Sequence, residues 1–176
     1  MRKSASKAPK ENPPAEQSLD ALYRRPGFLL RRAHQISAAL FLEETAGLAL
    51  TTTQYGALVA LRARGSLDQI GIATLVGIDR STTALVVSKL EASGYIERRD
   101  DVVDKRRKII TLSQAGRDML DRVAQPAQRA RQRALEPFSA EDATKFVALL
   151  EHFVGAFNEQ TRAPIKAAGG KSASTR

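Results

Sequence analysis

The sequence predicts a mainly α fold with a small β-hairpin wing, and three observations lead there. Apolar residues recur at helical spacing through most of the 176 residues. A short apolar segment stops at a glycine and a second helix begins almost at once. Two β-prone runs then bracket a strongly basic tip before the helical period resumes.

Taken in order, residues 1–18 and 162–176 are rich in Pro, Gly, Ser, Ala and Lys and hold almost nothing to bury. Both are expected to be disordered basic tails around one domain at 19–161. They carry six of the nine net positive charges, so basic residues in the body must cluster to matter. The run PGFLLRRAHQISAALFLEE (26–44) places Leu29, Ala33, Ile36 and Leu40 on one stripe, widened by Leu30 and Phe41, and predicts a long helix with a broad buried face. LTTTQYGALVALRARG follows, with threonines suited to capping, apolar spacing at Tyr55, Leu58, Val59 and Leu61, and a stop at Gly65. SLDQIGIATLVG then opens with Ser66 as N-cap and closes at Gly77, a helix of about ten residues.

DRSTTALVVSKLEASGYIERRD (79–100) comes next, and its apolar residues do not fit one side. Thr83, Val86, Val87 and Leu90 share a face, whereas Ser81, Leu85, Ser88 and Ala92 project opposite. YIERRD and KIITL read as strands joined by the charged tip DVVDKRR. Helix resumes from Ser113 to about Glu136, with Pro126 expected to kink or split it. A last helix starts at Ser139, with Asp142 three residues on, and carries Phe146, Leu149, Leu150, Phe153 and Phe157.

Two helices joined through a sharp turn and followed by a hairpin form the order of a winged helix-turn-helix, here 51–112. Ala73 lies four residues before Gly77, so a small residue allows close approach and the glycine allows the turn. Such proteins lay the second helix in the major groove of DNA. An uncharged, partly apolar outer face then has a use: Ser81, Thr82 and Ser88 hydrogen-bond base edges, while Ala84 and Leu85 pack on thymine methyls. Arg80 and Lys89 flank that face, where phosphates run. The competing reading, Leu85 completing a core, would leave Ser81 and Ser88 beside it. In the hairpin, Arg98, Arg99, Lys105, Arg106, Arg107 and Lys108 make six basic residues of eleven, a cluster able to reach a phosphate or the minor groove, or simply a solvated surface.

Composition narrows the partners. Lys and Arg number 28 against 19 Asp and Glu, a net +9 that favours polyanions, nucleic acid or an anionic membrane. Cysteine is absent, which excludes disulfides and thiolate metal sites; no metal site or cofactor is expected. No run of 18 apolar residues and no signal-peptide pattern is present, so a cytoplasmic protein without membrane contact is expected. With two His and no glycine-rich phosphate loop, no catalytic residues are assigned and an enzyme is not expected. Within a dimerisation region expected at 26–44 and 113–160, the segments 26–44 and 139–160 are too apolar for a lobe of about sixty residues to cover. Burial at about 25 cal/mol per Å2 favours either a core shared with a second copy or packing within the chain.

GIDRSTTALVVSKLEASGYIERRDDVVDKRRKIITLSQAG resembles the MarR family of ligand-responsive bacterial regulators. The resemblance rests on the recognition helix, the Asp-x-Arg wing pair Asp104 and Arg106, and Leu112, Ser113 and Gly116 at the start of the next helix, and it extends over roughly residues 26–160. It implies a homodimer with interleaved terminal helices that reads a palindromic operator in double-stranded DNA. It also implies Arg106 in the minor groove, held by Asp104, with Arg107 beside it. Ala84 and Leu85 stand where family members often carry polar or basic residues, so no operator sequence transfers. The resemblance further implies a repressor released by a small aromatic acid or its CoA thioester. In this chain the effector crevice would draw on Arg31, Arg32, His34, Gln35 and Phe41 from the first helix and on Gln54 and Tyr55 from the second; the same residues also fit a plain interfacial role. A constitutive architectural DNA binder without ligand is the remaining alternative.

Overall fold

The computed structural model describes residues 18–102, 105 and 107–166. Its elements run α1 (Leu19–Tyr23), α2 (Pro26–Glu44), α3 (Thr52–Arg64), β1 (Ser66–Leu67), α4 (Gln69–Val76), α5 (Arg80–Ala92), β2 (Ile96–Asp100), β3 (Lys108–Leu112), α6 (Gln114–Leu135) and α7 (Ala140–Phe157), with a short 3-10 turn at Asn158–Gln160. The chain divides into two units within α2, one ending at Ile36 and the other beginning at Ser37.

In the first unit Ser18 caps α1, its hydroxyl oxygen accepting from the Ala21 N–H at 3.1 Å. Pro26 opens α2 at the position where a missing N–H costs nothing. The Tyr23 and Phe28 rings pack at 5.2 Å, and the Arg31 guanidinium lies 4.9 Å from the Phe28 centroid. The broad face expected to be buried on α2 is not: Leu29 and Ile36 are exposed, and Phe41 alone is buried on this helix.

In the second unit the core is drawn from α3 to α6. Leu58, Leu61, Ile72, Val87, Leu90, Ile110 and Val123 are fully buried together. Thr51 and Gln54 close a reciprocal capping box that starts α3. The three strands form an antiparallel sheet ordered β1-β3-β2, with Ile96 opposite Leu112, Asp100 opposite Lys108 and Leu67 opposite Ile110. The hairpin expected from sequence is therefore joined by a third strand, and Ser66 belongs to that strand rather than capping a helix.

Ser113 caps α6, and Gly116 sits so close to Tyr95 that a methyl there would overlap the Tyr95 carbonyl oxygen. α6 does not split at Pro126; it continues through the proline, with Val123 and Ala130 buried on either side. The last residues of α2 are tied to it. Glu44 accepts from Arg129 at 2.8 Å and from Arg133 at 2.9 Å, and Glu43 pairs Arg133 at 3.1 Å.

α7 starts at the predicted Ser139 cap, whose hydroxyl accepts from the Asp142 N–H at 3.1 Å. None of its residues is buried, and Leu149, Val154, Phe153 and Phe157 are exposed. Beyond it the chain turns back. The Asn158 side chain donates to the Ile165 carbonyl and accepts from the Ile165 N–H, at 3.0 and 2.8 Å. Lys166 N–H donates to the Thr74 carbonyl at 3.3 Å, and the Ile165 side chain lies over Gly77. Residues 162–166, expected in the disordered tail, are thus structured.

Candidate nucleic-acid interface

Asp68 starts α4: its side chain accepts from the Gly71 N–H at 2.7 Å. α4 ends at Gly77, whose φ of 69° is left-handed, and the Gly77 N–H returns to the Ala73 carbonyl at 2.9 Å. A new cap at Asp79 follows within two residues, and the axes of α4 and α5 are bent by 111°. These local signals produce the helix-turn-helix.

α5 is two-faced as its spacing predicts. Thr83, Val86, Val87 and Leu90 are buried, with the Thr83 hydroxyl donating to the Asp79 carbonyl at 2.7 Å. On the other side Ser81, Ala84 and Ser88 are exposed and Leu85 is 56% exposed, so Leu85 completes no core here. Arg80 and Lys89 are exposed at the margins and make no ion pair among the described residues. Thr82 is half-buried, and its hydroxyl is directed to Asp79.

Asp79 organises this end of the helix, a role the sequence reading passed over. One carboxylate oxygen accepts from the Ser81 hydroxyl at 2.5 Å and the Thr82 N–H at 2.9 Å, and the other accepts from the Thr82 hydroxyl at 2.7 Å. Donation from Ser81 and then from Thr82 holds its carboxyl well below the usual carboxylate range. An Asp followed three residues later by Thr, just before an apolar-periodic run, was the signal that marks it.

The wing cations are largely paired. Arg98 meets Glu91 at 2.9 Å, Arg99 meets Glu97 at 2.6 Å and Lys108 meets Asp100 at 2.6 Å. Arg107 reaches Asp68 at 2.5 Å, so one carboxylate both caps α4 and holds the root of the wing. Burial alone would raise the Asp68 carboxyl, but the Gly71 N–H and the Arg107 guanidinium outweigh it and leave it lowered. Asp104 and Arg106, the pair on which the resemblance leaned, lie outside the described residues. Between α4, α5 and the wing is a cavity of about 430 Å3 where Arg80, Arg98, Arg107 and Lys108 meet Asp68 and Ile110.

Among the residues assigned to an effector, Gln35 accepts from Arg31 at 3.3 Å and from Arg32 at 2.9 Å, and His34 is exposed. Phe41 is buried and packs on Tyr55 with ring centroids 5.5 Å apart. Gln54 is buried, and its side-chain oxygen accepts from the Thr51 N–H at 2.9 Å in the capping box.

The profile of the MarR family matches residues 50–108, the stretch that holds these elements. The chain is 26% identical to the HTH-type transcriptional repressor NicR of Pseudomonas putida over 85% of this chain and 91% of that protein. It is 32% identical to a putative transcriptional regulatory protein for the hcr operon of Thauera aromatica, over 73% of this chain and 78% of that one. Among solved structures, PcaV of Streptomyces coelicolor in complex with its natural ligand has a TM-score of 0.71 at 33% identity, over 77% of this chain and 95% of PcaV. BpsR of Bordetella bronchiseptica, whose DNA binding is regulated by 6-hydroxynicotinic acid, has a TM-score of 0.70 at 27% identity, over 74% and 94%. The repressor CouR bound to a 23-mer DNA duplex has a TM-score of 0.71 at 28% identity, over 80% and 99%.

Proposed function

The chain belongs to the MarR family of transcriptional regulators, and from that premise we propose that it is a repressor which binds a palindromic operator as a homodimer and is released by a small aromatic acid or its CoA thioester. MarR family members are DNA-binding regulators rather than enzymes, in keeping with the poverty of catalytic side chains. The observation that carries the DNA reading is the outer face of α5. A helix that keeps Leu85 56% exposed between Ser81 and Ser88, with Arg80 and Lys89 exposed at its margins and in no ion pair among the described residues, suits base edges and phosphates.

Ser81, Thr82, Ala84, Leu85 and Ser88 take the base contacts in this reading. Arg80, Lys89 and Arg107 take phosphates, and Arg106 enters the minor groove. The likeness to CouR on its duplex supports this docking. Dimerisation is supported by α7, where no residue is buried although Leu149, Phe153, Val154 and Phe157 are apolar. The effector class is supported by the likeness to PcaV and BpsR and by the exposed Arg31, Arg32 and His34, cations or hydrogen-bond donors suited to an aromatic carboxylate.

The test is a titration of purified protein against the DNA upstream of its own gene at physiological salt, with and without a panel of aromatic acids and their CoA thioesters. Selective binding relieved by one compound is the expected result. Salt-sensitive binding of any duplex, relieved by none, would replace this reading with that of an architectural binder.

A further inference from the structure

Each hydroxyl has one hydrogen to donate and two lone pairs to accept with. At the start of α5 the direction of two such hydrogens is fixed. Asp79 is a carboxylate at neutral pH and can only accept, so the Ser81 hydroxyl 2.5 Å from one of its oxygens and the Thr82 hydroxyl 2.7 Å from the other must both donate to it. The same carboxylate takes the Thr82 N–H at 2.9 Å, which anchors it at the helix end. Three donors therefore converge on this one side chain. Ser81 stands on the exposed side of the helix, in line with Leu85 and Ser88 at i+4 and i+7.

We infer that Asp79 is a specificity-determining residue that acts through Ser81: it makes the serine hydroxyl an acceptor only, so that the helix selects a base presenting an amino group. In the major groove those groups are the adenine N6 and the cytosine N4. Guanine O6 and thymine O4 present lone pairs to lone pairs and are rejected at the same position. The inference rests on the proposed docking of α5 in the major groove. It adds to that docking the polarity of one contact, and hence which way round one base pair of each half-site lies. Asp79 is therefore a positioning residue; it need not touch DNA.

The test is a selection of binding sites from random duplexes with the full chain, run in parallel for the native protein, Asp79→Gly and Ser81→Ala. Gly is tolerated at an N-cap with little loss relative to Asp, so the first variant keeps the helix start, and the second leaves the cap intact. Circular dichroism and sedimentation confirm that all three share one fold and assembly. The native protein is expected to select adenine or cytosine at one position per half-site, favoured roughly five- to tenfold over the reversed pair, the lower part of the range for a specific base contact. Asp79→Gly removes both acceptor oxygens, frees the serine hydrogen, and is expected to admit the reversed pair there with the rest of the consensus unchanged. Ser81→Ala is expected to lose the preference at that same position. A native consensus that neither variant alters, or one in which Ser81→Ala and Asp79→Gly change different positions, overturns the inference while leaving the operator reading intact. Absence of any native consensus overturns both.

Discussion

Single side chains in this protein hold more than one partner, and their removal separates the roles. Arg80 is exposed and unpaired among the described residues, so it is available for a phosphate alone. Arg80→Ala should weaken binding about equally on all sequences and reduce the salt slope of binding by about one, read from titrations at several salt concentrations. A loss confined to one base position would contradict the phosphate role. Glu44 is only 16% exposed between Arg129 and Arg133, and hydrogen bonds from Arg129 first and Arg133 second lower its carboxyl from 4.5. Its pKa is lower folded than unfolded, so it contributes stability above about pH 4.5, lost as pH falls through the folded value. Glu44→Gln should therefore reduce thermal stability at neutral pH and flatten the loss below pH 4.5; equal slopes for both proteins would refute the linkage. At this scale the sequence was only half legible. Ser113, Ser139 and Gly77 announce themselves because caps and turns are local. The Asp68 to Arg107 pair spans 39 positions, and nothing in the spacing of either residue points to the other.

Elements were more legible than their partners. The helix-turn-helix, the hairpin and the terminal helices follow from hydrophobic period and turn residues, whereas β1 is two residues long and exists only because β3 lies beside it. Pro126 shows the same limit from the other side: propensity predicts a break, and packing of Val123 and Ala130 carries α6 through. Leu85→Ser should relax base preference more than affinity, since a methyl contact discriminates bases without anchoring the helix. An unchanged consensus from site selection would count against it. The turn between α4 and α5 is covered by Ile165, and Gly77 needs its left-handed backbone as well as the room beneath that side chain. Gly77→Ala should cost about 1 to 2 kcal/mol from the backbone alone, measured by denaturant unfolding. Gly116→Ala should cost more, because there the obstacle is the Tyr95 backbone rather than a side chain that can yield.

Across the whole molecule, apolar surface is distributed unevenly. The second unit has a dense core that runs as far as Ala130, yet α7 buries nothing, and the stripe that the sequence assigned to a buried face on α2 is exposed at Leu29, Leu30, Ala33 and Ile36, half-buried at Leu40 and buried only at Phe41. Hydrophobic period reports that a face is to be covered; it does not say by which chain. With α7 covered by a second copy, sedimentation at micromolar concentration should show a dimer, and Leu149→Glu with Phe153→Glu should give monomers that no longer bind an operator. A monomeric native protein would end the palindrome argument.

The separation of α5 from α7 along the chain has a consequence in genetics. A lesion confined to the outward side of α5, such as Leu85→Glu, would on the proposed docking spoil reading while leaving the surface of α7 untouched. In a cell that carries such an allele beside a normal one, the proposed dimerisation through α7 would let altered chains pair with normal ones and draw them into dimers with a single working lobe. The defective allele would then be dominant, whereas an allele that disrupts α7 would be recessive because its product would not meet the normal chain.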